Sequence, residues 1–315
     1  MQGSPTDVAA GASESRYSTS LESLRAWLDR HLGQFMPAGT TLDGPTVKPA
    51  VEMLFVLRGL RRAKVNPASH KWIDSVVDRL WDPAEAWLRR LRWSGLVNLA
   101  RTRSPSTANL LLIPLLEDLA GRRSIAHERV RLVFAEIPWR DCDDLGFDLA
   151  FACDLTDVRP SQRLARRQLR RLVADQASLH AQPSAYYDLT HAIFLETSMG
   201  QRRARCPGDL RPELDHCLAR GLASRLRTAD LDLSCELAVA ATWSLPDPSA
   251  PLRAGIHATL CTVAQTTDAH GCVPCLHERA VGSPFTFAGC YHQTLVALLA
   301  LACAADLTET VSADR

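Results

Sequence analysis

Apolar residues recur at every third or fourth position along most of this chain, a spacing that predicts helix after helix. Leu21, Leu24, Trp27, Leu28, Leu32 and Phe35 form the first stripe, with Thr19 and Glu22 as a capping box ahead of it and Gly33 and Pro37 behind. Thr46 and Pro49 open a second helix whose Val51, Met53, Leu54, Phe55, Val56 and Leu57 make it apolar nearly all round. Pro67 opens a third, and Asp82-Pro83 reads as the cap and first residue of a fourth that bears Trp87, Leu88 and Leu91. Further helices are expected from Asn109, with Pro114 kinking it or marking its start, then from Ser124, from 144 to 155 and from 160 to 179. The remainder are expected over 188–200, 210–226, 231–243, 250–265 and 289–305. Period-two alternation is absent and β-branched residues are scarce, so no sheet is expected.

Polar side chains recur at the heads of these apolar helices. Asp188 reads as an N-cap with His191 one turn on and Gly200 as the stop. In that place the positive helix end and burial favour a neutral imidazole, suited to act as a base or a metal ligand. The alternative is a core histidine bonded to a backbone carbonyl. Asp232 and Glu236 lie one turn apart and can present two carboxylates to one cavity, an arrangement that pushes one pKa up. The alternative is that Asp230 or Asp232 caps that helix while Glu236 completes the capping arrangement. Tyr291-His292 repeats the theme, and Tyr187 and Tyr291 can donate hydrogen bonds to a substrate. Glu52, inside the apolar second helix, must point into a polar cavity, pair with a cation or face solvent.

Composition narrows the class. With 315 residues, 46% hydrophobic and 23% charged, the chain can bury a large core. A net charge of +1 argues against a nucleic-acid or membrane-surface binder. All but three of the 36 basic residues are arginine, a bias of GC-rich coding sequences such as those of actinobacteria. Residues 1–17 lack the plan of a signal peptide and read as a disordered leader ahead of one all-α domain over 18–308, with halves at 18–157 and 158–308. No apolar run reaches the roughly 18 residues of a membrane span, so a cytoplasmic protein with reduced cysteines is expected.

Metal-ligand patterns are incomplete. Cys272-x-x-Cys275-x-His277 lacks a second pair at similar spacing, and a mixed set of His191, Cys235 and His292 is of the type of a three-ligand catalytic zinc with an open position; the expectation is nonetheless no metal or other cofactor. The arginine-rich helix from Arg159 to Arg171 lacks interleaved aromatics; it reads as a solvated face or a docking face for an acidic carrier protein. Walker, Rossmann and Gly-x-Ser-x-Gly patterns are missing.

Four motifs carry a resemblance: Asp-Leu-Thr-His-x-x-Phe at 188–194, Asp-x-Asp-Leu-x-x-Glu-Leu at 230–237, Gln-x-x-Asp-x-x-Gly at 265–271 and Tyr-His-x-Thr-Leu-Val at 291–296. The pattern resembles all-α actinobacterial proteins encoded near natural-product pathways. The segment starting at Gln265 is also similar to the turn motifs of α/α-toroid terpene cyclases and prenyltransferases. The resemblance implies a toroid-like ring of about six helix pairs and a setting in natural-product, including antibiotic, biosynthesis.

Together these features point to an enzyme of bacterial secondary metabolism with lyase- or cyclase-type chemistry. It would catalyse ring closure, elimination or isomerisation of a small molecule by acid/base groups in a central helical cavity. His191 would be the base, Glu236 or Asp232 the acid or orienting partner, and His292 and Tyr291 the positioning groups. Tyr187, Glu52, Asp188 and Gln265 complete the expected substrate contacts. A non-enzymatic helical-repeat scaffold, or a protein that binds the carrier protein, is the alternative.

Overall fold

The computed structural model describes residues 5–43, 46–63, 67–138, 147–158, 162–202, 204, 210–275 and 285–313. Among these there is no strand, and helices carry the fold as the apolar spacing predicts. The chain divides into two compact units, Met1–Leu32 with Pro212–Arg315, and Gly33–Arg211.

The unit Gly33–Arg211 is organised around helix α2 (Val47–Arg62). Twelve of its sixteen residues are buried, as an all-round apolar helix must be. Thr46 precedes it without capping it; the Thr46 hydroxyl accepts instead from the Ala38 amide at 3.0 Å. Helix α3 (Pro67–Arg90) runs straight through Asp82-Pro83, where separate third and fourth helices were expected. The buried stripe Ile73, Val76, Val77, Leu80, Trp81, Ala84, Trp87 and Leu88 stays in helical register across the proline. Packing therefore outweighs the cost of one lost backbone bond. Helix α4 (Trp93–Arg101) and a 3-10 turn (Pro105–Leu111) lead to α5 (Leu112–Ala120), with Pro114 in its first turn. Helix α5 packs on both α2 and α3.

Helices α6 (His127–Ala135) and α7 (Phe147–Leu155) follow. The helix expected over 160–179 is two, α8 (Gln162–Ala174) and α9 (Gln176–Ala181), because Asp175 leaves the helix and accepts from the Ser178 amide at 3.2 Å. Helix α10 (Pro183–Glu196) packs against α7, α8 and α9. Its C-terminus is held by Arg58, whose guanidinium is buried against Asp118 (2.7 Å) and donates to the Ser198 carbonyl. Ser198, Met199 and Gly200 then turn in left-handed conformation, with φ of 50°, 54° and 76°.

The other unit contains most of α1 (Pro5–Phe35), with α11 (Arg211–Arg227), α12 (Leu231–Ser244), α13 (Ala250–His270) and α14 (Phe287–Ala313). Thr19 and Glu22 fall inside α1, so the capping box expected there does not form, and the helix takes in much of the stretch expected as a leader. Arg16 and Ser20 reach Asp268 of α13 at 3.1 and 3.4 Å, which fastens α1 to α13. Gly255 lets α13 approach α11: a Cβ there would lie 3.3 Å from the Leu222 Cβ. Helix α12 packs against α13 and most extensively against α14, and this pair carries the first cluster of ionisable groups.

Candidate functional site

Asp230 caps α12 through the Leu233 amide (3.3 Å), which settles the choice left open by the sequence. Asp232 is thereby left to point elsewhere, one turn before Glu236. The α12 backbone around them is apolar and buried at Leu231, Leu233, Leu237 and Val239. Glu236 is only 5% exposed, and the side chain of Asp232 is 17% exposed. Helix α14 brings His292 to the pair. Its Nε2 lies 3.2 Å from Asp232 Oδ1 and 3.9 Å from Glu236 Oε1. One donor atom from each residue fits within a 4.8 Å set, a grouping able to hold a metal ion. Three of the expected site residues thus meet.

Tyr291, the fourth, lies beside His292, with ring centroids 6.2 Å apart, and continues a row of aromatic rings. Tyr291 stacks on Phe287 at 5.2 Å, Phe287 on Trp27 at 6.1 Å, and Trp27 on His31 at 4.1 Å. Cys235, next to Glu236, is fully buried. Desolvation, reinforced by Asp232 and Glu236, pushes its thiol well above the ordinary range, so it stays protonated. The mixed His191, Cys235 and His292 set therefore lacks a ready thiolate, and His191 belongs to the other unit.

A second cluster lies within Gly33–Arg211. Helix α10 begins at Pro183, with Gln182 as the preceding residue, so it starts five residues before Asp188. His191 consequently sits in the body of the helix, away from its first turn, and Asp188 is an exposed mid-helix residue instead of a cap. The proline explains the shift, since its fixed φ suits a helix start. The His191 ring stacks on Phe147 of α7 at 4.7 Å and lies 6.4 Å from Tyr187. Phe147 in turn meets Phe55 of α2 at 5.8 Å. Asp148, beside Phe147, keeps solvent access yet is closely surrounded. Desolvation is the largest influence on its carboxyl and raises it above the ordinary value; His191 draws it down, Glu52 adds to the rise and Lys48 lowers it. Glu52 is 21% exposed and pairs with Lys48 at 3.6 Å.

His191, Glu52 and Tyr187 were expected from the sequence. Asp148 was not, although a lone acid at the head of the apolar helix Phe-Asp-Leu-Ala-Phe-Ala-Cys-Asp-Leu was a signal of the same kind as Glu52.

The remaining expected residues lie apart from their neighbours' clusters. Gln265 is exposed on α13, and the segment it heads keeps the fold: Asp268 anchors α1, and Gly271, at φ 68°, closes α13. Cys272 is buried and Cys275 half-buried, while His277 and Cys206 lie outside the described residues. Burial pushes the Cys217 thiol up to about 11. Two buried carboxylates that sequence reasoning passed over are structural. Glu117 accepts from the Ser124 amide (2.8 Å) and contacts His127 (2.6 Å) and Arg123 (3.3 Å). Glu196 accepts from Arg166 at 2.9 Å. A shallow polar cleft of about 380 Å³ opens beside Glu117, Asp118, Arg122 and Arg123; its lining includes neither His191 nor Asp148.

The chain belongs to the family described as a domain of unknown function, DUF6895, whose pattern matches residues 21–302. No curated protein and no solved structure matches the chain. No helix among the described residues is long and apolar enough to cross a membrane.

Proposed function

We propose that this chain is a cytoplasmic enzyme of bacterial secondary metabolism, from an actinobacterial natural-product setting. It catalyses ring closure, elimination or isomerisation of a small molecule by proton transfer. The observation that carries the reading is the His191 ring, held flat against Phe147 at 4.7 Å with Tyr187 at 6.4 Å and with Asp148 near enough for the two charges to interact. A carboxyl with a raised affinity for its proton, next to an imidazole, is a pairing suited to acid/base work. His191 removes a proton from the substrate. Asp148 takes the part first assigned to Glu236 or Asp232, returning a proton to the departing or rearranging group. Exchange with solvent resets both, so the protons balance. Tyr187 and Glu52 border this centre and orient the substrate.

The same reading has the helix pairs close into an α/α ring of about six pairs. It assigns the exposed arginines of α8, Arg163, Arg167, Arg170 and Arg171, to steering an acidic carrier protein that presents the substrate. The test is a metabolite comparison between a strain carrying the gene, its deletion strain and the deletion strain complemented with the gene. Loss of one product with gain of its unrearranged precursor, reversed on complementation, is the expected result. Identical profiles would sink the enzyme reading and leave the chain to the class of helical scaffolds or carrier-protein-binding proteins.

A further inference from the structure

We propose that Asp232, Glu236 and His292 bind one divalent first-row metal cation, with Zn²⁺ and Mn²⁺ as the best fits. This goes beyond the reading above, which rests on the other unit. The geometry is the first argument. His292 Nε2 stands 3.2 Å from one carboxylate oxygen and 3.9 Å from another, and one set of donors spans no more than 4.8 Å. The longer contact is beyond hydrogen-bond reach. Donors that share a cation at 2.0–2.2 Å are held roughly 2.8–4.4 Å apart, depending on the bond angle. Small rotamer adjustments bring these three onto one ion.

The second argument is how the donors are held. Asp230 has taken the capping role, which frees Asp232 to face the same side of α12 as Glu236 one turn later. Both carboxylates rise from a stretch of α12 whose backbone neighbours are buried, and His292 comes from the helix packed most extensively against it. The ligands are thus fixed by two rigid elements and not by a loop. The third is the donor chemistry. Two carboxylates and a neutral imidazole offer two negative charges to a 2+ ion, and a mixed oxygen and nitrogen set suits Zn²⁺ and Mn²⁺ better than thiolate-seeking ions. Three protein ligands leave further positions for water or substrate, the pattern of reactive metal centres. The 31% exposure of the His292 side chain gives those positions a way to solvent. The row Tyr291, Phe287, Trp27 and His31 begins at this cluster and presents flat apolar surface beside it.

The experiment is isothermal titration of the chelator-treated full chain with ZnCl₂ and with MnCl₂, each on wild type and on Asp232→Asn, Glu236→Gln and His292→Ala. Circular dichroism checks that every variant is folded. The expected result is one cation per wild-type chain. Each single variant should weaken it by at least about tenfold, the scale on which even a ligand's supporting partner registers. The pair Cys272→Ser with Cys275→Ser should bind as wild type does. Absence of a saturable site in the wild type would overturn the proposal without reference to any variant. So would a site unchanged in all the folded variants, or one lost with the cysteines. Binding at this site in a chain whose deletion leaves metabolites unchanged would uphold the cation and sink only the enzyme reading.

Discussion

The two ionisable clusters are assembled from the same parts, a histidine, two carboxylates and a tyrosine, yet they are presented differently. In the first, Asp232 and Glu236 share one face of α12, and His292 closes on them from α14, so the donor atoms converge. In the second, Glu52, Asp148 and His191 come from α2, α7 and α10, each on its own helix. There Lys48 already balances Glu52, and Asp148, though exposed, is pushed towards the protonated acid. Composition alone does not tell a cation site from a proton-transfer site. Convergence of donors favours an ion, whereas separation combined with desolvation drives pKa values apart.

The comparison can be broken most forcefully at His191. In the complemented deletion strain, His191→Asn should lower product per folded molecule by about 10²-fold or more, the scale of a lost acid/base group. Its melting temperature should stay close to that of the wild type. A variant destabilised by roughly 1–3 kcal/mol, as for a lost buried hydrogen bond, with product per molecule intact, would reduce the second cluster to a packing feature.

Asp148 sharpens the same contrast through pH. Its carboxyl binds a proton more tightly in the folded chain than in the unfolded one. Its contribution to stability is therefore greatest below the ordinary carboxylate value of 3.8 and is lost as pH rises through the higher folded value. Asp148→Asn removes that dependence. The stability of the variant relative to wild type should rise with pH across this window and then level off, as read by urea unfolding at a series of pH values. A relative stability that falls over the window would mean that the His191 attraction outweighs desolvation.

Lys48→Ala should have the smallest effect. The Lys48 side chain is 70% exposed and its bond to Glu52 spans one helical turn. The loss should be only about 0.3–0.5 kcal/mol, shrinking further in high salt. A loss of several kcal/mol would show that Glu52 depends on this lysine, and the second cluster would then be an ion-pair network.

Much of the helical fold was legible because apolar spacing survives local interruptions. The α12 cluster was legible in part: Asp230, Asp232 and Glu236 lie within seven residues, but only the fold shows that Asp230 takes the cap and that His292 closes on the other two. The second cluster was legible only in part. His191 and Glu52 stood out as polar groups in apolar helices, but their environment depends on Asp148 and Phe147, more than 40 residues from either. Long-range pairing of that kind leaves no periodic trace in the chain. The errors share a cause. Asp82-Pro83, Thr19 with Glu22, and Asp188 all carry local capping chemistry, and in each case a buried stripe or a stronger start such as Pro183 overrides it.

The contrast between the clusters is tested most directly by following the histidine ring nitrogens by NMR across pH, before and after one equivalent of ZnCl₂. His191→Asn and His292→Ala serve to assign the signals. The account predicts that one equivalent of Zn²⁺ shifts the His292 ring nitrogens and leaves the His191 ring nitrogens where they were. Zinc that shifted both histidines alike, or left both unchanged, would contradict it.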